Sequence, residues 1–267
     1  MKRLIKFFLR KVPRPILQRF VRIAMVCCKP LYLGNQKECP VCGKHYRKFL
    51  PYGYVTSRDN ALCPNCLALE RHRLLWLFLQ TKTDLFSSKL SFLHIAPEIC
   101  FIKRFKAVPT LDYKTADLES PWADIHLNVE SMPLESESFD VIMANHILEH
   151  VEHLDKALGE IFRVLKKGGW AVLLSPINPE RETTYEDSSI TSPEEREKHF
   201  GQKDHLREFG KDYAEVLSRA GFMVEDIDFA SSIDAKTVER YALASGEVSS
   251  IVNHIFVVTL HPSNKSC

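Results

Sequence analysis

Between Phe139 and Pro176 the chain reads FDVIMANHILEHVEHLDKALGEIFRVLKKGGWAVLLSP, a pattern that few folds accommodate. Phe139 to Ala144 is a short apolar run suited to a strand buried on both faces. Leu154, Leu158, Ile161 and Leu165 then recur at helical spacing, with Ala157 and Val164 widening the stripe. Lys166 and Lys167 suit the negative end of that helix, Gly168-Gly169 supplies a stop with positive φ, and Trp170 to Leu174 restarts as a buried strand. Strand, helix, strand in this order predicts a right-handed crossover between parallel strands. An open α/β sheet follows, with ligands beyond the carboxyl ends of its strands.

The flanking sequence extends that sheet. Leu90 to Ala96 reads as the first strand and Leu111 to Asp117 as the second. Beyond the central unit come a helix over Tyr213–Arg219 ended by Gly221, a strand over Phe222–Phe229, a helix over Ala235–Leu243 and a strand over Ile255–Leu260. Asn178 to Gly210 interrupts this series as a polar insert without periodicity, and long inserts in compact domains are often lids. Gln202, Asp204, His205 and Arg207 are its residues expected at a substrate pocket, or else they pin the loop.

Cysteines mark a second unit. Cys39-Pro-Val-Cys42 and Cys63-Pro-Asn-Cys66 are two CxxC knuckles, with Gly43 in the turn after the first. Four thiolates at this spacing reach one Zn²⁺ tetrahedrally, and a closed four-sulfur site leaves no position for substrate, so this zinc is expected to be structural. Basic and aromatic residues between the knuckles, among them Lys44, Arg47, Phe49 and Tyr52, fit either a small aromatic core or an RNA-binding face. Leu67 to Leu79 reads as a helix coupling the ribbon to the sheet.

Charge is unevenly spread. Residues 1 to 37 contain ten Lys or Arg and no acid, whereas the whole chain has 36 basic and 34 acidic residues, so the remainder is acidic by eight charges. Ile16, Leu17, Phe20, Val21, Ala24 and Met25 share one face of a basic amphipathic helix, suited to an anionic membrane surface, to RNA, or to packing on the protein itself. No apolar run reaches the roughly 18 residues of a membrane span. Lys6, Arg10, Lys11 and Arg14 break any signal-peptide pattern. A cytoplasmic protein is expected, with peripheral docking at the inner face of a membrane as one role for the basic segment.

The run MPLESESFDVIMANHILEHV, followed by RVLKKGGWAVLLSP, resembles the second half of a class I S-adenosylmethionine-dependent methyltransferase of the type 11 family. The insert FGQKDHLREFG resembles that of a bacterial branch carrying an amino-terminal zinc ribbon. The resemblance implies an α/β fold: a doubly wound, seven-stranded, Rossmann-like sheet whose last strand pair runs antiparallel to the rest, behind a four-cysteine zinc ribbon. It divides the chain into a basic helical segment (1–37), a ribbon with its coupling helix (38–88) and a methyltransferase domain (89–267) carrying the insert 178–210.

The resemblance also places a site. Ala96, Pro97 and Glu98 stand where relatives carry a glycine-rich loop at the methionine end of S-adenosylmethionine, with Glu98 paired to its ammonium or serving its own helix. Asp117 receives both ribose hydroxyls, since a carboxylate accepts from two adjacent donors. Asn128 and the amide of Val129 face the adenine, or Asn128 forms a turn. Asn145 and His146 face the methyl group. His146, His150 and His153 fall at helical spacing, which raises a metal site, but general-base or capping roles for His146 fit the family better. With His205 on the insert, His146 completes the catalytic pair for a small-molecule or glycan acceptor, favoured over RNA because an acidic cleft repels phosphate. The glycine-free loop leaves a second reading, a non-enzymatic zinc-ribbon adaptor whose degenerate methyltransferase domain binds RNA or protein.

Overall fold

The computed structural model describes residues 29–53, 57–121, 123–243 and 251–261. The amphipathic face between Ile16 and Met25 lies outside them.

Two small hairpins open the described chain. β1 (Lys37–Cys39) pairs with β2 (Lys44–Tyr46), and β3 (Leu50–Tyr52) with β4 (Arg58–Leu62). The coupling helix α1 spans Glu70–Lys82. The large sheet is built from β5 (Leu90–Ile95), β6 (Leu111–Asp117), β7 (Ile125–His126), β8 (Phe139–Asn145), β9 (Leu165–Leu174), β12 (Phe222–Ile227) and β13 (Ile255–Leu260). Its order is β12-β13-β9-β8-β5-β6-β7, seven strands in one Rossmann-like sheet. Helices α2 (Ile99–Phe105), α3 (Leu154–Val164), α5 (Tyr213–Arg219) and α6 (Ala235–Tyr241) connect its strands. The insert contributes β10 (Tyr185–Glu186), α4 (Pro193–Phe200) and β11 (Arg207–Glu208).

Two details differ from expectation. Of the last strand pair only β13 is reversed, antiparallel to both β12 and β9. It returns alongside β12, which requires no crossover to another edge. And β9 starts directly at Leu165, where a break at Gly168-Gly169 was expected. Gly168 has φ +79°, and a side chain at Gly169 would sit 2.5 Å from the Asp140 carbonyl oxygen. The glycines therefore make a bulge at a close backbone approach, and the register against β8 shifts there.

Period-two alternation along the strands builds a core on each face. Leu93, Ile95, Ile142, Ala144, Ala171 and Leu173 face α3 and α5. Phe92, Val141, Met143 and Val172 face the other way, into a core shared with α1, α2 and the ribbon residues Val41, Tyr46 and Phe49. The ribbon is thus continuous with one face of the sheet. Leu158 and Ile161 of α3 are buried, each contributing roughly 1.5–3 kcal/mol of transfer free energy.

Arg73 of α1 locks this junction and is 0% exposed. Its Nε donates to the Tyr241 carbonyl at 2.7 Å, and Nη1 donates to Ala61 and Ala68, both at 2.8 Å. Nη2 donates to Asn60 at 3.2 Å and Ala242 at 2.5 Å, so all five N–H groups are satisfied by main-chain oxygens. The exposed pair Arg240–Glu38 spans the same junction but contributes little by comparison. Replacing Arg73 by Met is expected to lower stability by about 3 kcal/mol or more, because it strands buried carbonyls. Urea unfolding would measure this, and a change below about 1 kcal/mol would refute the assignment.

Candidate functional site

The site begins where parallel strands end. After β5 the chain turns through Ala96 at φ +46°, and after β8 through His146 at φ +55°. The Ala96 amide donates to Ala116 at 2.7 Å, and the His146 amide to Leu174 at 2.6 Å. Left-handed backbone costs a non-glycine residue roughly 1–2 kcal/mol, and these neighbouring strand ends both bear it. Between them and the insert lies a cavity of about 690 Å³, within the range of small-molecule sites.

Five of the sequence-derived residues line that cavity: Ala96, Asp117, Asn128, Val129 and His146. Pro97, Glu98, Asn145 and His205 are not among its lining residues. Asp117 Oδ1 accepts from the amides of Glu119 at 2.9 Å and Ser120 at 2.7 Å, which holds its own loop. Asn128 Oδ1 accepts from the Glu130 amide at 2.9 Å, so this side chain shapes a turn. Leu118 also lines the cavity and is 64% exposed, an apolar surface beside an acid that no sequence pattern had marked.

Glu98 belongs to a buried polar chain crossing three strands. Its Oε2 lies 2.5 Å from His94 Nε2, its Oε1 accepts from Asn145 Nδ2 at 3.0 Å, and His94 Nδ1 lies 2.8 Å from the Tyr113 hydroxyl. A carboxylate only accepts, so His94 Nε2 carries a proton and donates to Glu98. Burial pushes the Glu98 carboxyl up, but the His94 and Asn145 bonds and the His94 and His72 charges outweigh it, holding the pKa at about 2. Asn145 is 4% exposed, and its Oδ1 has no hydrogen-bond partner.

The expected helical face of His146, His150 and His153 does not form. Residues 148–150 form a turn and α3 starts only at Leu154, so His153 is exposed at its cap. The insert reorganises the others: His150 meets His205 edge to face, with ring centroids 4.8 Å apart. His146 Nδ1 lies 3.5 Å from Glu149 Oε1. Burial would raise the Glu149 carboxyl, but the His146 bond and charge hold it below the usual carboxylate range. Burial lowers the His205 pKa, keeping that ring neutral near pH 7.

Arg207 does not reach the pocket. It is 1% exposed, donates to the carbonyls of Leu148 and Val151 at 2.6 Å, and holds Glu186 through Nε and Nη2, both at 2.9 Å. It pins the insert over the turn after β8. The cavity wall carries Asp117, Glu130, Glu152, Glu186 and Asp187 against one arginine, Arg196, so it favours cations.

The four knuckle cysteines converge separately. Cys39 and Cys66 sulfurs lie 3.6 Å apart, and those of Cys42 and Cys63 3.8 Å. A tetrahedral ion with bonds of about 2.3 Å spaces its sulfurs about 3.8 Å apart, so the set fits a four-thiolate centre. Each knuckle closes four residues after its first cysteine: Gly43 at φ +62° donates to Cys39, and Leu67 at φ +64° donates to Cys63.

Residues 101–173, from α2 to β9, match the family model described as a methyltransferase domain. The segment from α2 to β9 is thus similar to a methyltransferase domain. Over 111 residues it is 32% identical to a ubiquinone/menaquinone biosynthesis C-methyltransferase of Brucella canis, covering 37% of this chain and 41% of that protein. Over 62 residues it is 40% identical to a protein of the same name from Bartonella bacilliformis, covering 23% and 24%. The chain therefore spans less than half the length of these curated relatives. A solved S-adenosylmethionine-dependent methyltransferase from Mesorhizobium loti is 16% identical at a TM-score of 0.46, over 69% of this chain and 96% of that one.

The lowered Glu98 pKa has a consequence for stability. A depressed carboxyl contributes stability above its unfolded value near 4.5, and that contribution is lost as pH falls toward 2. The loss is on the order of 3 kcal/mol. Urea midpoints at pH 6 and pH 3 are expected to differ more for the wild type than for Glu98→Gln. Equal pH responses would show that the chain does not hold Glu98 charged.

Proposed function

We propose that the protein transfers a methyl group from S-adenosylmethionine to a small-molecule or glycan acceptor held under the insert. The observation that carries this reading is the acidic cavity at the carboxyl edge of β5, β6 and β8, which suits a cofactor bearing a sulfonium and an ammonium. Asp117 would hold the ribose, Asn128 and Val129 the adenine with Leu118 against its face, and Ala96, Pro97 and Glu98 the methionine end, with Asn145 behind. The cofactor supplies an activated methyl carbon, so the protein's work is alignment of the acceptor and removal of its proton. His146 lines the cavity and His205 stands behind His150, and these two are our candidate bases.

The same acidic wall disfavours RNA, whose phosphates it would repel. The ribbon would hold one structural zinc through Cys39, Cys42, Cys63 and Cys66, and metal-bound thiolates of this kind support a reducing, cytoplasmic setting. Among the described residues no helix is long and apolar enough to cross a membrane. The basic segment 1–37 would dock the enzyme on a membrane surface or a partner protein.

One observation supports the adaptor reading: Ala96 occupies left-handed backbone where glycine would be unstrained. Titration calorimetry with S-adenosylmethionine and with its demethylated product separates the two, since the adaptor would bind neither. Asp117→Asn is expected to weaken cofactor binding about tenfold or more while leaving the loop bonds to Glu119 and Ser120 in place. Incubating the enzyme and radiolabelled cofactor with small-molecule, protein and RNA fractions of a lysate would identify the acceptor class, and label in RNA would overturn our preference. For the ribbon, metal analysis is expected to find one zinc fewer per chain in Cys63→Ser than in the wild type, with the ribbon unfolding. Unchanged metal content in that variant would remove the zinc assignment.

A further inference from the structure

Glu149 is 2% exposed, yet its hydrogen-bond and ion-pair partners are a serine hydroxyl, Ser175 Oγ at 3.1 Å, and the His146 ring at 3.5 Å. Among the described residues no lysine or arginine pairs with it; the nearby Arg207 is already held by Glu186. A buried carboxylate without a full cationic partner is costly unless a cation joins it. Two imidazoles stand beside it. One ligand atom from each of Glu149, His150 and His205 lies within 4.8 Å of the others.

The ring orientations matter as much as the spacing. His205 Nδ1 lies 3.1 Å from the Phe200 carbonyl oxygen, and His150 Nδ1 lies 3.0 Å from that of Asp204. A carbonyl only accepts, so in both neutral rings Nδ1 carries the proton and Nε2 keeps its lone pair. Metal-bound histidines are oriented in this way, with the non-ligating N–H on a carbonyl or carboxylate. The Asp204 carboxylate, 3.7 Å from His150 Nδ1, adds to the same arrangement.

We infer that Glu149, His150 and His205 form a second metal site, for a divalent first-row transition ion such as zinc or ferrous iron, where the insert meets the turn after β8. Two nitrogens and a carboxylate suit those ions and leave positions open, unlike the closed four-sulfur ribbon. Magnesium, which prefers oxygen ligands, would bind poorly. Ligands at about 2.1 Å from one ion are at most about 4.2 Å apart, so binding draws the insert inward by small side-chain rotations.

The site borders the cavity through His150. If the methyltransferase reading holds, an acceptor hydroxyl bound at an open position would give its proton to His146. Its oxygen would then bond the methyl carbon as the carbon–sulfur bond breaks and its electron pair stays on sulfur, leaving a neutral thioether.

The test is metal content and titration calorimetry on the full chain, with Zn²⁺ and Mg²⁺ alone as probes. The expected result is two zinc ions per wild-type chain and no magnesium uptake at the second site. Glu149→Gln, close in shape, and His205→Ala should each hold one zinc, and Cys63→Ser should keep only the second-site ion. Wild-type zinc content in Glu149→Gln and His205→Ala, or one zinc in the wild type that Cys63→Ser removes, would overturn the site. Cofactor calorimetry on the same samples distinguishes the failures: two zinc ions without cofactor binding would defeat methyl transfer and leave the metal site standing.

Discussion

A buried guanidinium whose donors meet main-chain carbonyls, joined for Arg207 by the Glu186 carboxylate, holds each appended part of this molecule to its sheet. Arg73 ties the ribbon and α1 to the end of α6, and Arg207 ties the insert to the turn after β8. Five rigid donors in a planar fork can satisfy several peptide groups that would otherwise be stranded when loops pack together. The cost of burying the charge is offset by these bonds and, for Arg207, by Glu186. Arg207 shares this hold with the Leu206 amide, which donates to the Glu149 carbonyl at 2.8 Å, and with His150, whose Nδ1 lies 3.0 Å from the Asp204 carbonyl; together they keep His205 beside His150.

Backbone strain and buried polarity are concentrated at one edge of the sheet. Ala96 and His146 take left-handed conformations on neighbouring strands, and between them runs the chain Tyr113–His94–Glu98–Asn145. In β8, which is otherwise almost wholly buried, Asn145 is the polar residue that closes this chain. These residues shape and charge the floor on which a cofactor's methionine end would rest. A glycine at position 96 would relieve the strain; the alanine retains the turn at a cost of roughly 1–2 kcal/mol.

Electrostatics divides the chain by task. The basic residues concentrate before position 38, while the cavity is walled by carboxylates. A positively charged cofactor and a neutral acceptor fit such a wall. The ribbon's thiolates add a third local field, which the proposed zinc would halve.

Periodicity made much of this fold legible. The apolar runs at Leu90, Leu111, Phe139 and Ile255 and the helical stripe from Leu154 to Val164 each specify an element, because a strand buried on both faces and an amphipathic helix admit few other patterns. The CxxC spacing likewise determined the sulfur quartet, since two short knuckles carry their own turn geometry. The family resemblance also marked Ala96, Asp117, Asn128, Val129 and His146, which line one cavity. Tertiary structure decided the rest. The bulge at Gly168-Gly169 depends on the Asp140 carbonyl of a neighbouring strand, and the roles of Glu98 and Arg207 depend on partners far away in sequence. Most of all, His150 and His205 are 55 positions apart and join Glu149 only because the insert folds back over the turn after β8. Helical spacing pointed His150 toward His146 and His153, but that spacing has meaning only inside a helix, and here the chain turns before the helix begins.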